Sequence, residues 1–189
     1  MNRLAILSFA GLLVLSCNGF VAAEQRSKEQ INQQYKKELA ELGFPDGEPL
    51  PLNQQLGTYE HYVVVDKIIY LTSNAAQNPD GSWVKGVVPT QVTEEQAVRA
   101  SKLSCVRAIN RIRHAADGDL GQVRKIANIR YMTASPPSFT GHSKLANACS
   151  DMMIRVFGEE VGRHTRAVMG VTSFPWDMTH KIDVIAYLK

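Results

Sequence analysis

From Ser27 to Leu42, apolar side chains recur at Ile31, Tyr35, Leu39 and Leu42, one face of a 3.6-residue turn, with Gln, Lys and Glu between them. Ser27 followed by Gln30 predicts a capping box, because hydroxyl and amide satisfy each other's orphan backbone donors, and Gly43 and Pro45 predict the stop. This helix reads as an outer element rather than a core one, followed by an irregular stretch to Gln55. The run TYEHYVVVDKIIYLTSN is rich in Val, Ile and Tyr on both sides of Asp66-Lys67 and predicts a hairpin from Tyr59 to Asn74. Ala75 to Pro89 is polar and reads as a loop turning at Asp80-Gly81.

Thr93, with Gln96 three residues on, opens a long helix striped by Val98, Ser101, Cys105, Ala108, Ile109 and Ile112, while Arg99, Lys102, Asn110 and Arg113 fall on other faces. Gly118, Asp119 and Gly121 end it. Val123 to Met132 reads as a strand with Val123, Ala127, Ile129 and Tyr131 on one side. A second amphipathic helix follows from about Ser143 to Phe157, striped by Leu145, Ala148, Cys149, Met152 and Val156, with Gly158 as its left-handed cap. Arg166 to Phe174 and Lys181 to Leu188 read as a closing hairpin around the loop Pro175 to Thr179. This order suits an α+β layer architecture, a mixed sheet with both long helices on one face. The last strand is apolar on both sides, Ile182, Val184, Ala186 and Leu188 against Ile185 and Tyr187. The uncovered face therefore predicts self-association.

The N-terminus changes the domain count. Arg3, the apolar run Leu4 to Leu15 and Val21-Ala22-Ala23 read as an export signal cleaved before Glu24, which predicts a periplasmic or secreted protein. The alternative is a lipoprotein anchored through Cys17, since Val14-Leu15-Ser16-Cys17 resembles a lipobox. Removing residues 1–23 from 189 leaves 166, enough for one domain burying about 70% of its unfolded surface. Without Arg3, 20 basic residues face 18 acidic ones, a formal charge of +2 that argues against nucleic acid as a partner. Cys105 and Cys149 both fall on apolar stripes and read as buried free thiols, although an oxidising compartment would let them pair.

Little chemistry stands out by spacing. The five histidines form no zinc pattern, and no phosphate-cradling glycine loop is present. Arg166 differs, because it opens a strand of small and apolar residues where a guanidinium can hold a carboxylate bidentately. A surface arginine or an intersubunit ion pair fits the same spacing.

A wider set of residues carries more. Leu39, Leu42 and Gly43, Gly57-Thr58-Tyr59, Tyr70-Leu71-Thr72-Ser73-Asn74, Gly118-Asp119-Leu120, and above all Asn147, Ser150-Asp151, Phe157-Gly158, Gly162, His164-Thr165-Arg166, Gly170-Val171 and Phe174-Pro175 resemble the Rid/YjgF family, once labelled endoribonuclease L-PSP, in its longer branch with an N-terminal helix. After the signal read at 1–23, the chain divides into a helical arm and linker at 24–55 and, by the resemblance, a RidA/YjgF-like domain at 56–189. It also implies a chorismate-mutase-like fold, a homotrimeric barrel with ligand clefts between subunits, no cofactor and no metal. The implied activity is that of a 2-iminobutanoate/2-iminopropanoate deaminase, a hydrolase that converts reactive enamines and imines of amino acids to 2-keto acids and ammonia.

By the same resemblance Arg166 pairs with the substrate carboxylate, Tyr59 and Asn147 line the cleft, and backbone near Ser73 and Asn74 assists positioning. Two positions depart from the pattern. Lys181 stands where the deaminases carry a glutamate that activates water, and a protonated lysine cannot accept water's hydrogen bond. Asp183 could partly replace that acid, and Lys181 could instead reinforce anion binding for a ligand with two negative groups. The usual Ser-Gly-Gln turn is Thr72-Ser73-Asn74. Three functions follow: an exported imine deaminase, a non-catalytic trimeric binder of small carboxylates, and, more weakly, an endoribonuclease.

Overall fold

The computed structural model describes residues 25–54 and 57–189. Residues 1–23, read above as an export signal, and Cys17 with them, lie outside the described residues. Helix α1 (Lys28–Glu41) begins at the expected capping box, with both the Ser27 and the Gln30 bonds formed. Strands β1 (Tyr62–Val65) and β2 (Ile68–Leu71) form the expected hairpin, and Asp66 and Lys67 both take positive φ, as a tight right-twisting two-residue turn requires. A two-residue strand β3 (Asn74–Ala75) follows, then α2 (Glu94–Ala115), again with its capping box complete at Thr93 and Gln96. The remaining elements are β4 (Val123–Ala134), α3 (His142–Gly162), β5 (Thr165–Val171) and β6 (His180–Leu188).

The sheet runs β1-β2-β6-β4-β5, with β3 also paired to β6. The last two strands are therefore not a hairpin: β5 pairs parallel with β4, and β6 lies antiparallel on β4's other side. The reason is α3, long enough to serve as the crossover that a parallel pair needs. Residues 172–179 then carry the chain past β4, about 10 Å across two strand spacings. Strand β5 accordingly ends at Val171, not at Phe174.

Ile126, not Ala127, joins Val123, Ile129 and Tyr131 under the helices, because irregularities in the β4–β6 register shift the alternation there. Gly158 does take positive φ, but the chain resumes helical turns beyond it to Gly162.

The arm is more deeply buried than its polar composition suggested. Ile31, Tyr35 and Leu39 are at most 3% exposed and share the main core with α2, α3 and the sheet. Burial of each such side chain contributes about 1.5–3 kcal/mol. Tyr35 also donates its hydroxyl to Val106 O at 2.9 Å, and Arg155 on α3 holds the buried Glu38 carboxylate with two bonds of 2.6 and 2.9 Å.

Cys105 and Cys149 meet where α2 faces α3 and are joined as a disulfide, with Cα atoms 5.4 Å apart, so the expectation of free thiols does not hold. The two stripes that argued for burial are what brings the sulfurs together. On the sheet's other face Val63, Val65, Tyr70 and Met169 stay exposed. No helix among the described residues is long and apolar enough to cross a membrane.

Candidate functional site

Arg166 sits on the edge strand β5 in register with Ile129, which itself pairs with Val184, so its side chain rises on the helix-covered face. There its guanidinium donates to Asn147 Oδ1 at 2.8 Å and to Ser150 Oγ at 3.1 Å, both on α3. A relay fixes this arrangement. His164 Nδ1 lies 2.7 Å from the Gly162 carbonyl, which can only accept, so Nδ1 carries the hydrogen and Nε2 is left as an acceptor. Ser150 then donates to Nε2 at 3.1 Å, freeing its oxygen lone pairs for Arg166 and for the buried Tyr131 hydroxyl at 3.2 Å.

Burial, followed by the nearby Arg166 charge, lowers the His164 pKa, which keeps that tautomer neutral. Burial raises the Tyr131 pKa and keeps it a donor. Arg166 forms no ion pair with a carboxylate among the described residues, so its positive charge is unmatched. Four residues farther along β5, Gly170 packs closely against the start of α3: a Cβ there would lie 2.5 Å from His142 Nε2 and 2.7 Å from Ser135 Oγ.

Tyr59, Ser73 and Lys181 come together elsewhere, in a cleft of about 430 Å³ out to its mouth, shared with His61, Trp83, Arg107, Arg111 and Trp176. Lys181 alternates with Ile182 and pairs with Met132, so it lies on the opposite sheet face from Arg166 and two strands away. One chain thus holds Arg166 with Asn147 and, separately, Tyr59 with Ser73 and Lys181. Asn74 is fully buried and its amide donates to Thr72 O and Ile182 O, so what it can offer the cleft is backbone.

Burial lowers the Lys181 pKa against the opposing pull of Asp183, and its ammonium lies 5.2 Å from the centre of the Phe174 ring. Asp183 is not free to act as the missing acid. It pairs with Arg130 at 3.3 Å and accepts from the Ser73 hydroxyl.

Sequence reading passed over Arg107 and Arg111, which α2 places one helical turn apart on the cleft wall. Burial draws their pKa values down to about 10 and about 9, low for arginine yet still protonated at neutral pH. His61 donates Nε2–H to Asn53 O at 2.7 Å, leaving Nδ1 without a partner, and burial lowers its pKa as well. The i, i+4 spacing of Arg107 and Arg111, beside the apolar stripe of α2, was the available signal.

A mixed sheet with long helices on one face and an unmatched arginine on its edge strand make this an α+β layered protein with an anion-binding corner. Protein TCP17 of Trypanosoma cruzi is 30% identical over 130 residues, 69% of this chain and 81% of that protein. The crystal structure of Atu1372 from Agrobacterium tumefaciens, a protein of unknown function, is 27% identical with a TM-score of 0.74, covering 86% of this chain and 98% of that one. An endoribonuclease candidate from Shewanella oneidensis matches at 23% identity and TM-score 0.72 over 81% and 98% of the two chains. The YjgF protein of Escherichia coli shares the fold at 18% identity and TM-score 0.50 over 71% and 91%. No protein-family model matches the chain. The chain shares the chorismate-mutase-like fold of the Rid/YjgF proteins.

Proposed function

We propose that this protein is an exported RidA-like hydrolase that takes imines or enamines of amino acids to 2-keto acids and ammonia. The observation that carries the reading is Arg166: an exposed guanidinium aimed by Asn147 and Ser150, held by neutral acceptors only, and thus able to take a substrate carboxylate bidentately. Tyr59, Ser73 and Lys181 line a cleft separate from the Arg166 corner, with Lys181 on the other sheet face, so one ligand meets both groups of residues where a second copy supplies one of them. The exposed apolar face supports such an assembly, and the family resemblance implies a trimer. The disulfide suits an oxidising compartment and so supports export.

In the reaction, water adds to the imine carbon and the C–N bond breaks, releasing ammonia. Arg166 orients the imine by its carboxylate. A coupled assay of 2-iminopropanoate decay tests this. Acceleration at micromolar protein that Arg166→Ala removes is the expected result, and no acceleration by the wild type rejects hydrolysis. Light scattering reads the assembly independently, and a monomer rejects the shared cleft.

A second reading, a non-catalytic binder of small carboxylates, is favoured by a specific observation. Among the described residues the cleft wall carries no carboxylate, and Asp183 is already engaged by Arg130 and Ser73. In that case a carboxylate ligand raises the melting temperature of the wild type but not of Arg166→Ala, without imine turnover.

A further inference from the structure

The cleft that holds Tyr59 and Lys181 is strongly cationic, and nothing in the fold requires that. Arg107 stacks 4.5 Å from the centre of the Trp83 ring and donates to Gln77 Oε1 at 2.9 Å and Asn53 Oδ1 at 2.6 Å. Arg111 is 4% exposed and donates to the carbonyls of Thr72 and Ser73, while its Nε is buried without a partner. Both guanidiniums are thus held rigid by neutral acceptors, and neither forms an ion pair with a carboxylate among the described residues.

Two desolvated like charges one helical turn apart, with Lys181 on the same wall, destabilise the fold unless an anion joins them. The rim adds a second observation. Trp176 and Asp177 both take the left-handed conformation, with φ of 61° and 57°, and Trp176 is 56% exposed. A bulky residue held there is strained, and such strain gathers at ligand sites. The loop holds an indole out at the rim of the cationic cleft instead of letting it collapse onto the core.

We infer that Arg107, Arg111 and Lys181 bind a second negative group of the ligand, so that the protein selects dicarboxylates, the imines and 2-keto acids of acidic amino acids, over their monocarboxylate counterparts. The inference rests on the cleft's being the ligand site proposed above. Arg166 takes the α-carboxylate, and the cationic wall takes the distal one. Hydrolysis then balances as imine plus water giving 2-keto acid plus ammonia, with the distal carboxylate unchanged.

Calorimetric titration of the full assembly with 2-oxoglutarate and with 2-oxobutanoate tests it, since neither probe requires turnover. The wild type is expected to bind 2-oxoglutarate at least tenfold more tightly, as a charge-assisted contact implies. Arg107→Gln and Lys181→Gln, which avoid disturbing the buried Arg111, are each expected to bring that ratio close to one. Arg166→Ala is expected to weaken both ligands and leave the ratio in place. Failure of imine hydrolysis therefore leaves this result readable. Equal affinity of the wild type for the two probes, no binding of either at millimolar concentration, or a preference that survives both substitutions overturns the inference.

Discussion

Cys105 and Cys149 tie α2 to α3 across a separation of 44 residues, and the loop so closed contains all of β4. Cutting the bond by replacing both cysteines with alanine releases that constraint from the unfolded chain. For a closed loop of this length the chain-entropy relation gives about 4 kcal/mol at 25 °C. In a domain of this size that corresponds to a fall in melting temperature of about 8 to 16 °C. The assay is thermal unfolding of wild type with and without reductant, beside the double alanine variant, all at one protein concentration so that self-association is constant. Wild type in reductant and the variant are expected to melt together, well below oxidised wild type. Trypsin digestion without reductant should release Leu103–Arg107 and Leu145–Arg155 as one linked species. Recovery of those peptides separately, or a reductant-insensitive melting curve, refutes the reasoning.

Other consequences are as direct. His180 is buried with Nδ1 on Thr133 Oγ1 at 2.9 Å, and burial lowers its pKa from 6.5 to about 4. The unfolded chain therefore binds the proton first as pH falls, and about 3 kcal/mol of stability should be lost between pH 6.5 and 4, a slope that His180→Gln removes in urea titrations. Burial raises the Glu38 pKa, but the bonds from Arg155 and Gln34 outweigh it and hold the carboxyl below its ordinary value. That contribution is full above the unfolded pKa and disappears as pH falls through the lower folded one. Arg155→Ala should cost about 2–4 kcal/mol at neutral pH, less than a fully buried pair because Arg155 is partly exposed. Gly170→Ala, forced against His142 and Ser135, should destabilise by about 1–3 kcal/mol on the same measurement. Lys181→Glu restores an acceptor for water and should raise kcat for 2-iminopropanoate by roughly 10²-fold while weakening 2-oxoglutarate binding.

Local signals carried most of the fold because they are self-contained. The capping boxes at Ser27 and Thr93 formed as read, since each needs only residues three apart. The Asp66-Lys67 turn likewise depends on nothing distant. The pairing of β5 and β6 was not legible, because a short loop between two apolar strands is compatible with a hairpin and only the length of α3 favours the crossover. Ala127 was assigned to the wrong face because a register shift breaks strict alternation.

The site divides similarly. Arg166 and Asn147 were read together and lie together, 2.8 Å apart. Lys181 was singled out as an anion-binding residue and lies on the same wall as Arg107 and Arg111. Those two arginines escaped notice because an amphipathic helix displays basic residues on its solvent side as a matter of course. Only the structure shows that this side of α2 is covered by the segment around Asn53 and Tyr59.

The position of β6 has a consequence for how the chain comes to be folded at all. Of the described elements it is the last to be synthesised, yet β2, β3 and β4 all depend on it for hydrogen bonds. Until His180–Leu188 is available, the β1–β2 hairpin is separated from the β4–α3–β5 unit, and neither has a closed core. Vectorial synthesis thus gives the nascent chain little to lock onto early, and assembly becomes a late, all-at-once event. A chain stopped before His180 should show no protease-resistant core in pulse proteolysis, whereas extension through Leu188 should produce one in a single step.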